Sequence, residues 1–255
     1  MIALTISDLN EANAACRRIA ELTRRRRATG TPDAICIRND SFSERPFSSL
    51  AQLVGELWDG DLIIESDYPS NVSKALLHLM DRRPLIVGAN KNNLEQFSAL
   101  SKLFGCPICI SCEDTERLFD LVKQARESGA ADVVLDPVMR NMKQCLETCT
   151  ALKRLSQELP EAGHPIAVRT WSGEYAMTMA TVSLLVGDAI VIADELDSES
   201  CETLGELVKS IRRSHAEDLV LKDGFRHGPR QVHVGHPHIR RTGYGHGRHP
   251  HRTGI

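Results

Sequence analysis

A series of short, almost continuously apolar segments rich in β-branched residues restricts the possible folds of this chain more than any other feature. Eight such segments recur between Pro32 and Gly224, and the residues between them have the periodicity of amphipathic helices. Continuous apolar runs are typical of parallel strands that are covered on both faces. The predicted strands are Ala34–Arg38, Asp61–Glu65, Pro84–Gly88, Pro107–Ser111, Asp132–Asp136, Pro165–Arg169, Asp188–Ala193 and Glu217–Leu221.

Eight strand–helix units predict an α/β fold, either a closed (β/α)8 TIM-type barrel or an open doubly wound sheet. A barrel of this kind needs about 250 residues, and the chain has 255. The first predicted strand is not followed by the Gly-x-Gly-x-x-Gly turn of a dinucleotide-binding open sheet. We therefore predict a barrel over residues 32–224. An N-terminal helix, Asp8–Arg26, and a linker are expected to precede it over residues 1–31.

The C-terminal residues differ in composition from the rest of the chain. Arg226–Ile255 contains six arginines and seven histidines, no Asp, Glu or Lys, and no apolar periodicity. This composition predicts a disordered tail over residues 225–255. Two interpretations of the tail are open, namely imidazoles that bind nickel, copper or zinc, and a segment without function. The imidazole candidates are His233, His236, His238, His246, His249 and His251.

Charge and hydropathy exclude several classes of partner. The formal net charge is −3, which provides no electrostatic case for a nucleic-acid or membrane partner. The basic cluster Arg24–Arg27 is interpreted as the solvated end of the N-terminal helix. No apolar run approaches the roughly 20 residues of a membrane span, and no secretory signal is present. We therefore expect a cytoplasmic protein whose cysteines remain thiols.

Three cysteines have a spacing that merits a separate test. Cys106, Cys109 and Cys112 are separated like part of an iron–sulfur ligand set. However, Pro107–Ser111 is a predicted strand, on which residues three apart point to opposite faces. The sulfurs would converge only if this segment were a loop. We therefore expect buried thiols, with a metal site as the weaker alternative.

Polar residues follow the carboxyl end of almost every predicted strand, which is where active sites of α/β barrels lie. The excess of acids and amides favours a cation or a polar heterocycle as ligand. Capping of the following helix is the competing interpretation for each acid, and Asp114 before Thr115-Glu116 fits it well. The set comprises Asn39, Asp40, Glu65, Asp67, Asn90, Asn92, Glu113, Asp114, Asp136, Arg169, Trp171, Asp194, Glu195 and Asp223.

A smaller group is selected as candidate ligand-binding residues at the barrel mouth, because acids and amides can hydrogen-bond a polar heterocycle. No histidine upstream of the tail lies at a strand end, so no Ser-His-Asp or Cys-His arrangement is predicted, and no catalytic residue is nominated. The candidate group is Asp67, Asn90, Asn92, Asp136 and Asp194.

From Asp33 to about Asp194 the chain resembles the barrel domain of the large (gamma) subunit of the corrinoid iron–sulfur protein of the acetyl-CoA decarbonylase/synthase complex. Asp81–Asn93 is similar to a family segment of the type DRKPLIYAATKDNW, and Cys106–Ser111 follows at the expected distance. Glu116–Pro137 is similar to the family's helix that leads into a strand ending VLDPGT. One departure is that Val138-Met139 stands where the family has Gly-Thr.

The resemblance implies a barrel that supports methyl transfer in the reductive acetyl-CoA (Wood–Ljungdahl) pathway without being catalytic by itself. It implies a heterodimer with the small-subunit barrel homologue, and a pterin methyltransferase as a further partner. Cobalamin and a [4Fe-4S] cluster are implied for the full-length family, on domains without a counterpart in this chain, so no cofactor is expected here. Both a complete divergent barrel and a fragment of the carrier are consistent with the resemblance. The alternatives are a stand-alone pterin-binding methyltransferase barrel and a metal-handling protein that acts through the His-rich tail.

Overall fold

The structure is a computed structural model that describes the backbone of residues 1–130, 132–159, 162–170, 175–187 and 189–226, with side chains up to residue 213. Within these ranges, eight parallel strands alternate with eight α-helices. The strands are β1 (Ile2–Ser7), β2 (Ala34–Arg38), β3 (Asp61–Glu65), β4 (Leu85–Ala89), β5 (Ile108–Ser111), β6 (Val133–Asp136), β7 (Ala167–Thr170) and β8 (Ile190–Ala193). The helices are α1 (Ala12–Thr29), α2 (Glu44–Leu57), α3 (Pro69–Leu76), α4 (Leu94–Phe104), α5 (Thr115–Glu127), α6 (Met142–Glu158), α7 (Ala176–Gly187) and α8 (Ser198–Arg226). A short 3-10 helix, Met80–Arg82, precedes β4.

The strands form a nearly closed barrel, which confirms the predicted (β/α)8 TIM-type fold. Their order in the sheet is β6-β5-β4-β3-β2-β1-β8-β7. An isolated parallel bridge between Leu135 and Ile166 joins the two ends of this sheet, and the amide of Leu135 donates to the carbonyl of Pro165 at 2.8 Å. Parallel strands joined by helical crossovers give this closed arrangement.

The structure differs from the prediction at both ends of the barrel. Ile2–Ser7 forms β1, which pairs with β2 on one side and β8 on the other, so residues 1–31 contribute to the barrel. Accordingly, the N-terminal helix begins at Ala12 rather than at Asp8. Glu217–Leu221 lies within α8 instead of forming an eighth strand. A short apolar run fits a strand and a buried helix face equally well, and only pairing with neighbouring strands distinguishes them.

The chain divides into two compact units, residues 1–212 and residues 213–255. The first unit contains the barrel, and the described part of the second is the C-terminal end of α8. The predicted tail begins at residue 225, but α8 extends to Arg226. Residues 227–255, with the histidines proposed as metal ligands, lie outside the described residues. In the described part of the chain, no helix combines the length and apolar character needed to cross a membrane.

The apolar core has two layers. The larger layer lies between strands and helices and contains Phe47, Trp58 and Phe97, all buried. The smaller layer is formed by one inward-facing set of strand residues, which fills the barrel interior as in other barrels of this fold. Its buried members are Ala3, Ala34, Cys36, Ile63, Leu85, Val87, Cys109, Val134, Ala167 and Ile192.

The three closely spaced cysteines belong to different layers. Cys109 faces the barrel interior, whereas Cys106 and Cys112 pack on the helix side. All eight cysteines are free thiols. Burial raises the pKa of Cys109 well above its usual value, and the carboxylate of Asp136 raises it further. Among the described residues, no group of three or more His, Cys, Asp or Glu side chains is arranged to hold a metal ion.

Candidate ligand-binding site

A layer of polar side chains covers the apolar barrel interior at the carboxyl ends of the strands. Successive residues of a regular strand point to opposite faces, so a residue two positions beyond an inward-facing one also faces inward. The strand register places members of this layer side by side, as in the pairs Arg38–Glu65 and Ser111–Asp136. The layer consists of Ser7, Arg38, Glu65, Ser111, Asp136, Arg169 and Asp194.

Arg169 connects opposite sides of this layer. Its guanidinium on β7 donates a hydrogen bond to the Glu65 carboxylate on β3, and its Nε lies 3.7 Å from Oδ2 of Asp136 on β6. Burial alone would lower the pKa of Arg169, but the carboxylates of Glu65 and Asp136 raise it above its usual value. Arg169 is therefore a permanent cation held between two carboxylates.

Asp136 has a fixed orientation at the end of β6. The side chain is buried; Oδ2 accepts a hydrogen bond from the Ser111 hydroxyl at 2.7 Å and Oδ1 accepts one from the Val138 amide at 3.1 Å. Together with Arg169, these donors fix the position of both carboxylate oxygens. Asp136 is thus pre-organised to accept hydrogen bonds from a ligand.

Gly88 allows β4 to approach the end of β3 closely. Its φ is +128°, and a Cβ at this position would lie 2.1 Å from the carbonyl oxygen of Ser66. The register with β5 shifts between Val87 and Ala89. Such an irregularity redirects the chain that follows the strand. Asn90 is consequently turned toward the mouth, with its Nδ2 donating to the Gly88 carbonyl at 3.2 Å.

A cavity of about 220 Å³, here called the mouth cavity, opens between these groups. Three of the five predicted ligand-binding residues, Asp67, Asn90 and Asp136, line it. Pockets for drug-sized ligands have volumes of about 300–1,000 Å³, so the mouth cavity suits one small fused ring system. Its lining residues are Glu65, Asp67, Gly88, Asn90, Ser111, Asp136, Val138, Met139 and Arg169.

The other two predicted residues lie elsewhere. Asn92 lines an adjacent cavity beside α5. Asp194 forms an ion pair with Arg38, which also pairs with Asp40 at 3.0 Å. Asp194 and Arg38 line a separate cavity built from β1, β2, β8 and α1. The Arg169–Glu65 ion pair, which spans from β7 to β3, lines the mouth cavity and not this one.

The remaining strand-end residues have varied surroundings. The capping interpretation is confirmed for Asp114, whose Oδ1 accepts hydrogen bonds from the amides of Glu116 and Arg117 at 3.0 and 3.3 Å. Glu113 forms an ion pair with Arg140. Trp171 and the side chain of Asp223 lie outside the described residues.

Sequence reasoning did not select all the residues that define the mouth cavity. Glu65 and Arg169 belong to the predicted strand-end set but not to the predicted ligand-binding group, and Ser111 belongs to neither. All three could be found from the alternation of side chains along a strand. Each lies two residues beyond a side chain that is buried in the barrel interior, and it therefore faces the same way. The structure was needed to show that Arg169 reaches Glu65 across the barrel.

A buried polar network supports the loops that follow β1, β2 and β3. Asn39 donates to Oδ2 of Asp8 at 2.7 Å and accepts from the Ser66 hydroxyl at 2.9 Å and from Nδ2 of Asn71 at 2.8 Å. Asp8 also accepts hydrogen bonds from the amide and hydroxyl of Ser41 at 2.8 and 2.6 Å. A fully satisfied network of this kind rigidifies the loops that it joins.

These loops present two exposed aromatic side chains, here called the rim pair, Phe42 and Tyr68. Phe42 is 68% exposed and Tyr68 47%, and their rings meet edge to face with centroids 6.2 Å apart. Phe42 has a φ of +55°, and its carbonyl accepts a hydrogen bond from Asn71 at 3.3 Å. Phe42 therefore combines an exposed ring with a backbone conformation that few non-glycine residues adopt.

Val138 is also strained, and it borders the mouth cavity. Its φ is +46°, a conformation that is a genuine outlier for a β-branched residue and costs on the order of 1–3 kcal/mol. Strain of this kind clusters at ligand sites. The Val138 side chain forms part of the wall of this cavity.

Two curated relatives illustrate the sequence similarity. The chain is 30% identical over 142 residues to the corrinoid/iron–sulfur protein large subunit of Moorella thermoacetica, a match that covers 55% of this chain and 32% of that protein. It is 32% identical over 109 residues to the acetyl-CoA decarbonylase/synthase complex subunit gamma of Methanothermobacter thermautotrophicus, covering 42% of this chain and 23% of that protein. The chain thus matches a third or less of the length of these relatives.

Solved structures with a similar fold include dihydropteroate synthases. The enzyme from Coxiella burnetii in complex with pteroic acid superposes with a TM-score of 0.63 at 10% identity, covering 83% of this chain and 92% of that chain. The enzyme from Thermus thermophilus gives a TM-score of 0.62 at 14% identity, covering 82% and 93%. At these identities the similarity establishes the fold only.

A family profile matches most of the chain. It covers residues 1–220 and describes the delta subunit of CO dehydrogenase/acetyl-CoA synthase, whereas the curated relatives are named as large or gamma subunits. The match includes β1 and extends through the described barrel, and it agrees with the resemblance seen in the sequence. The chain therefore belongs to the CO dehydrogenase/acetyl-CoA synthase delta subunit family.

Proposed function

We propose that this chain is a barrel component of a corrinoid-dependent methyl-transfer assembly, in which it pairs with a small-subunit barrel homologue. The observation that carries the proposal is the family match over residues 1–220. The relatives are named as subunits of a corrinoid protein and of a multi-subunit complex. In this role the chain supports methyl transfer by binding and docking.

The described residues do not fit either cofactor of the full-length family. A [4Fe-4S] cluster requires four thiolates around one centre, whereas Cys106, Cys109 and Cys112 lie in different layers of the core. The mouth cavity, at about 220 Å³, is below the range for drug-sized ligands, and a corrinoid is larger than those. The proposal therefore assigns both cofactors to other parts of the assembly.

The rim pair is the proposed contact with the partner barrel. Aromatic side chains are enriched among the residues that dominate protein–protein binding. The polar network beneath Phe42 holds the pair in place before binding, which lowers the entropy cost of docking.

We expect the double variant F42S/Y68S to bind a co-expressed small-subunit homologue at least tenfold more weakly than the unaltered chain, because truncation of a central aromatic residue costs about 2 kcal/mol or more. Analytical ultracentrifugation of the copurified pair measures the affinity. L103S is the matched control, since Leu103 on α4 is 75% exposed and lies away from the barrel mouth. An unaltered chain that remains monomeric beside this partner at micromolar concentrations would contradict the docking proposal.

A second candidate function is the binding of a pterin in the mouth cavity. The pyrimidine ring of a pterin presents a row of N–H donors and acceptors, which carboxylates and amides complement. Asp67, Asn90 and Asp136 supply these groups around a cavity of suitable size, and Asp136 is already oriented by Ser111 and Val138. Dihydropteroate synthases, one of them solved with pteroic acid, use the same barrel fold.

We expect D136N to weaken binding of a methyltetrahydropterin by roughly ten- to 100-fold, since a hydrogen bond to a charged group contributes about 1.5–3 kcal/mol. Isothermal titration calorimetry measures the effect. The matched control is D194N, which removes a carboxylate from the same polar layer but outside the mouth cavity and should change the affinity less than twofold. Equal losses in both variants, or no heat with the unaltered chain at millimolar ligand, would rule out this site.

A further inference from the structure

A groove on the outside of the barrel, here called the α1–α2 groove, lies between α1 and the end of α2. It has a volume of about 380 Å³ and shares no lining residue with the mouth cavity. On α1 the lining extends from the second turn of the helix to the last. The lining residues are Cys16, Ile19, Ala20, Thr23, Arg24, Arg27 and Leu57.

The middle of this groove is apolar although it is open to solvent. Ile19 is buried at its base, Ala20 is exposed, and Leu57 is 49% exposed. None of the described residues that line the groove is acidic or aromatic. Glu56 lies outside the lining and accepts a hydrogen bond from Gln52 at 3.0 Å. A partner's anionic group therefore meets no carboxylate in the wall of the groove.

The helix that forms one side of the groove is strongly basic. α1 contains six arginines and one glutamate, a formal charge of +5, whereas the whole chain carries −3. Basic residues in the last turn of a helix offset the negative pole of its dipole, but this pole is equivalent to only roughly half an elementary charge. Most of the positive charge of α1 therefore has another explanation.

The four consecutive arginines near the end of α1 have two different environments. Arg25 pairs with Glu21 at 2.6 Å, and the guanidinium of Arg26 lies over the indole ring at the end of α2, 5.2 Å from its centroid. Arg24 and Arg27 are exposed, and neither forms a hydrogen bond or an ion pair with a residue that the structure describes. Residues three apart share one side of a helix, so both uncompensated cations border the groove.

We propose that the α1–α2 groove binds an acidic amphipathic helix of a partner protein. Apolar side chains of that helix fill the groove above Ile19 and beside Leu57, as in other complexes in which a helix lies in a groove. Its carboxylates pair with Arg24 and Arg27, because charge complementarity selects an acidic partner. Single-stranded nucleic acids bind by stacking on aromatic side chains, which the described lining does not provide. This contact is independent of the rim pair and of pterin binding.

Fluorescence anisotropy with a designed helix tests the proposal. The probe is a labelled, amidated peptide of about 18 residues, long enough to form a helix in water, with leucines along one face and glutamates and glutamines elsewhere. At roughly 0.15 M salt, we expect the unaltered chain to bind it with a Kd of about 10 μM. R24E and R27E should each weaken binding about five- to tenfold, because each replaces an attraction with a repulsion. L57S should weaken it about fivefold through loss of apolar contact.

R17E is the matched control for the arginine variants, since Arg17 is an exposed arginine of α1 outside the groove lining. L103S is the control for L57S, and both controls should change the affinity less than twofold. A peptide of the same composition in scrambled order should bind at least tenfold more weakly than the designed helix. Equal effects of R24E, R27E and R17E, or no binding of the designed helix at about 100 μM, would overturn the proposal. Tighter binding of phosphatidylserine vesicles or duplex DNA, with the same dependence on Arg24 and Arg27, would also overturn it.

Discussion

Replacement of Arg169 by methionine is expected to lower the free energy of unfolding by about 3 kcal/mol at neutral pH. The variant keeps much of the volume of the side chain but leaves the carboxylates of Glu65 and Asp136 without a cation. Their side chains are only 15% and 7% exposed, so water compensates the loss poorly. Removal of one partner from a buried ion pair is more costly than removal of the whole pair, because it leaves an unpaired charge.

Urea denaturation of three variants separates this effect from a loss of packing. R169M should show the full loss, whereas R169M/E65Q/D136N should recover most of it, since the three neutral side chains no longer leave an unpaired charge. The free energy of unfolding of R169K should lie between those of R169M and the unaltered chain, because lysine retains the charge without the planar guanidinium. If the free energy of unfolding of R169M lay within about 0.5 kcal/mol of that of the unaltered chain, the polar layer would be solvated rather than held by Arg169.

Replacement of Gly88 by alanine is expected to destabilise the chain by about 3 kcal/mol and to abolish ligand binding in the mouth cavity. The new Cβ would lie 2.1 Å from the Ser66 carbonyl oxygen, a contact that only movement of the backbone can relieve. The φ of +128° adds conformational strain for any residue with a side chain. Both effects push β4 away from β3 and displace Asn90 from the mouth.

Gly105 provides the control for this prediction. It also has a positive φ, +65°, but the atom nearest to an added Cβ is Nε of Arg83 at 4.0 Å. G105A should therefore lower the free energy of unfolding by only about 1 kcal/mol, because backbone strain is its only effect. Ligand binding should be unaffected. Equal losses for G88A and G105A in thermal or urea unfolding would show that conformational strain, and not the approach of β4 to β3, determines the requirement for glycine.

Different hydrogen bonds stabilise the strained backbone conformations of Phe42 and Val138 at the mouth. Phe42 is held by hydrogen bonds from the network around Asn39 and Asn71, which is independent of any ligand. Val138 is held by the bond from its amide to Asp136, a residue that itself belongs to the mouth cavity. The hydrogen bonds to Phe42 therefore come from outside the mouth cavity, whereas the hydrogen bond to Val138 comes from a residue that lines it.

The strands from β2 to β8 were predictable because their apolar runs are continuous and are separated by helical periodicity. The strand β1 was not recognised, since Ile2–Ser7 gains its partners only from β2 and β8, which are distant in the sequence. Glu217–Leu221 shows the opposite error, because a regular spacing of apolar runs suggested a strand where the chain continues α8. In both cases pairing across the sheet, which local sequence does not specify, decided the outcome.

For the candidate site, sequence alone determined that acids and amides gather at the carboxyl ends of the strands, because parallel strands all end at the same edge of a barrel. Only the tertiary structure decided which of them share a cavity. Asp67, Asn90 and Asp136 line the mouth cavity, whereas Asp194 faces Arg38 in another. The physical reason is closure of the barrel, which places Arg169 of β7 against Glu65 of β3 beside the mouth cavity, a contact that the order of residues along the chain does not specify.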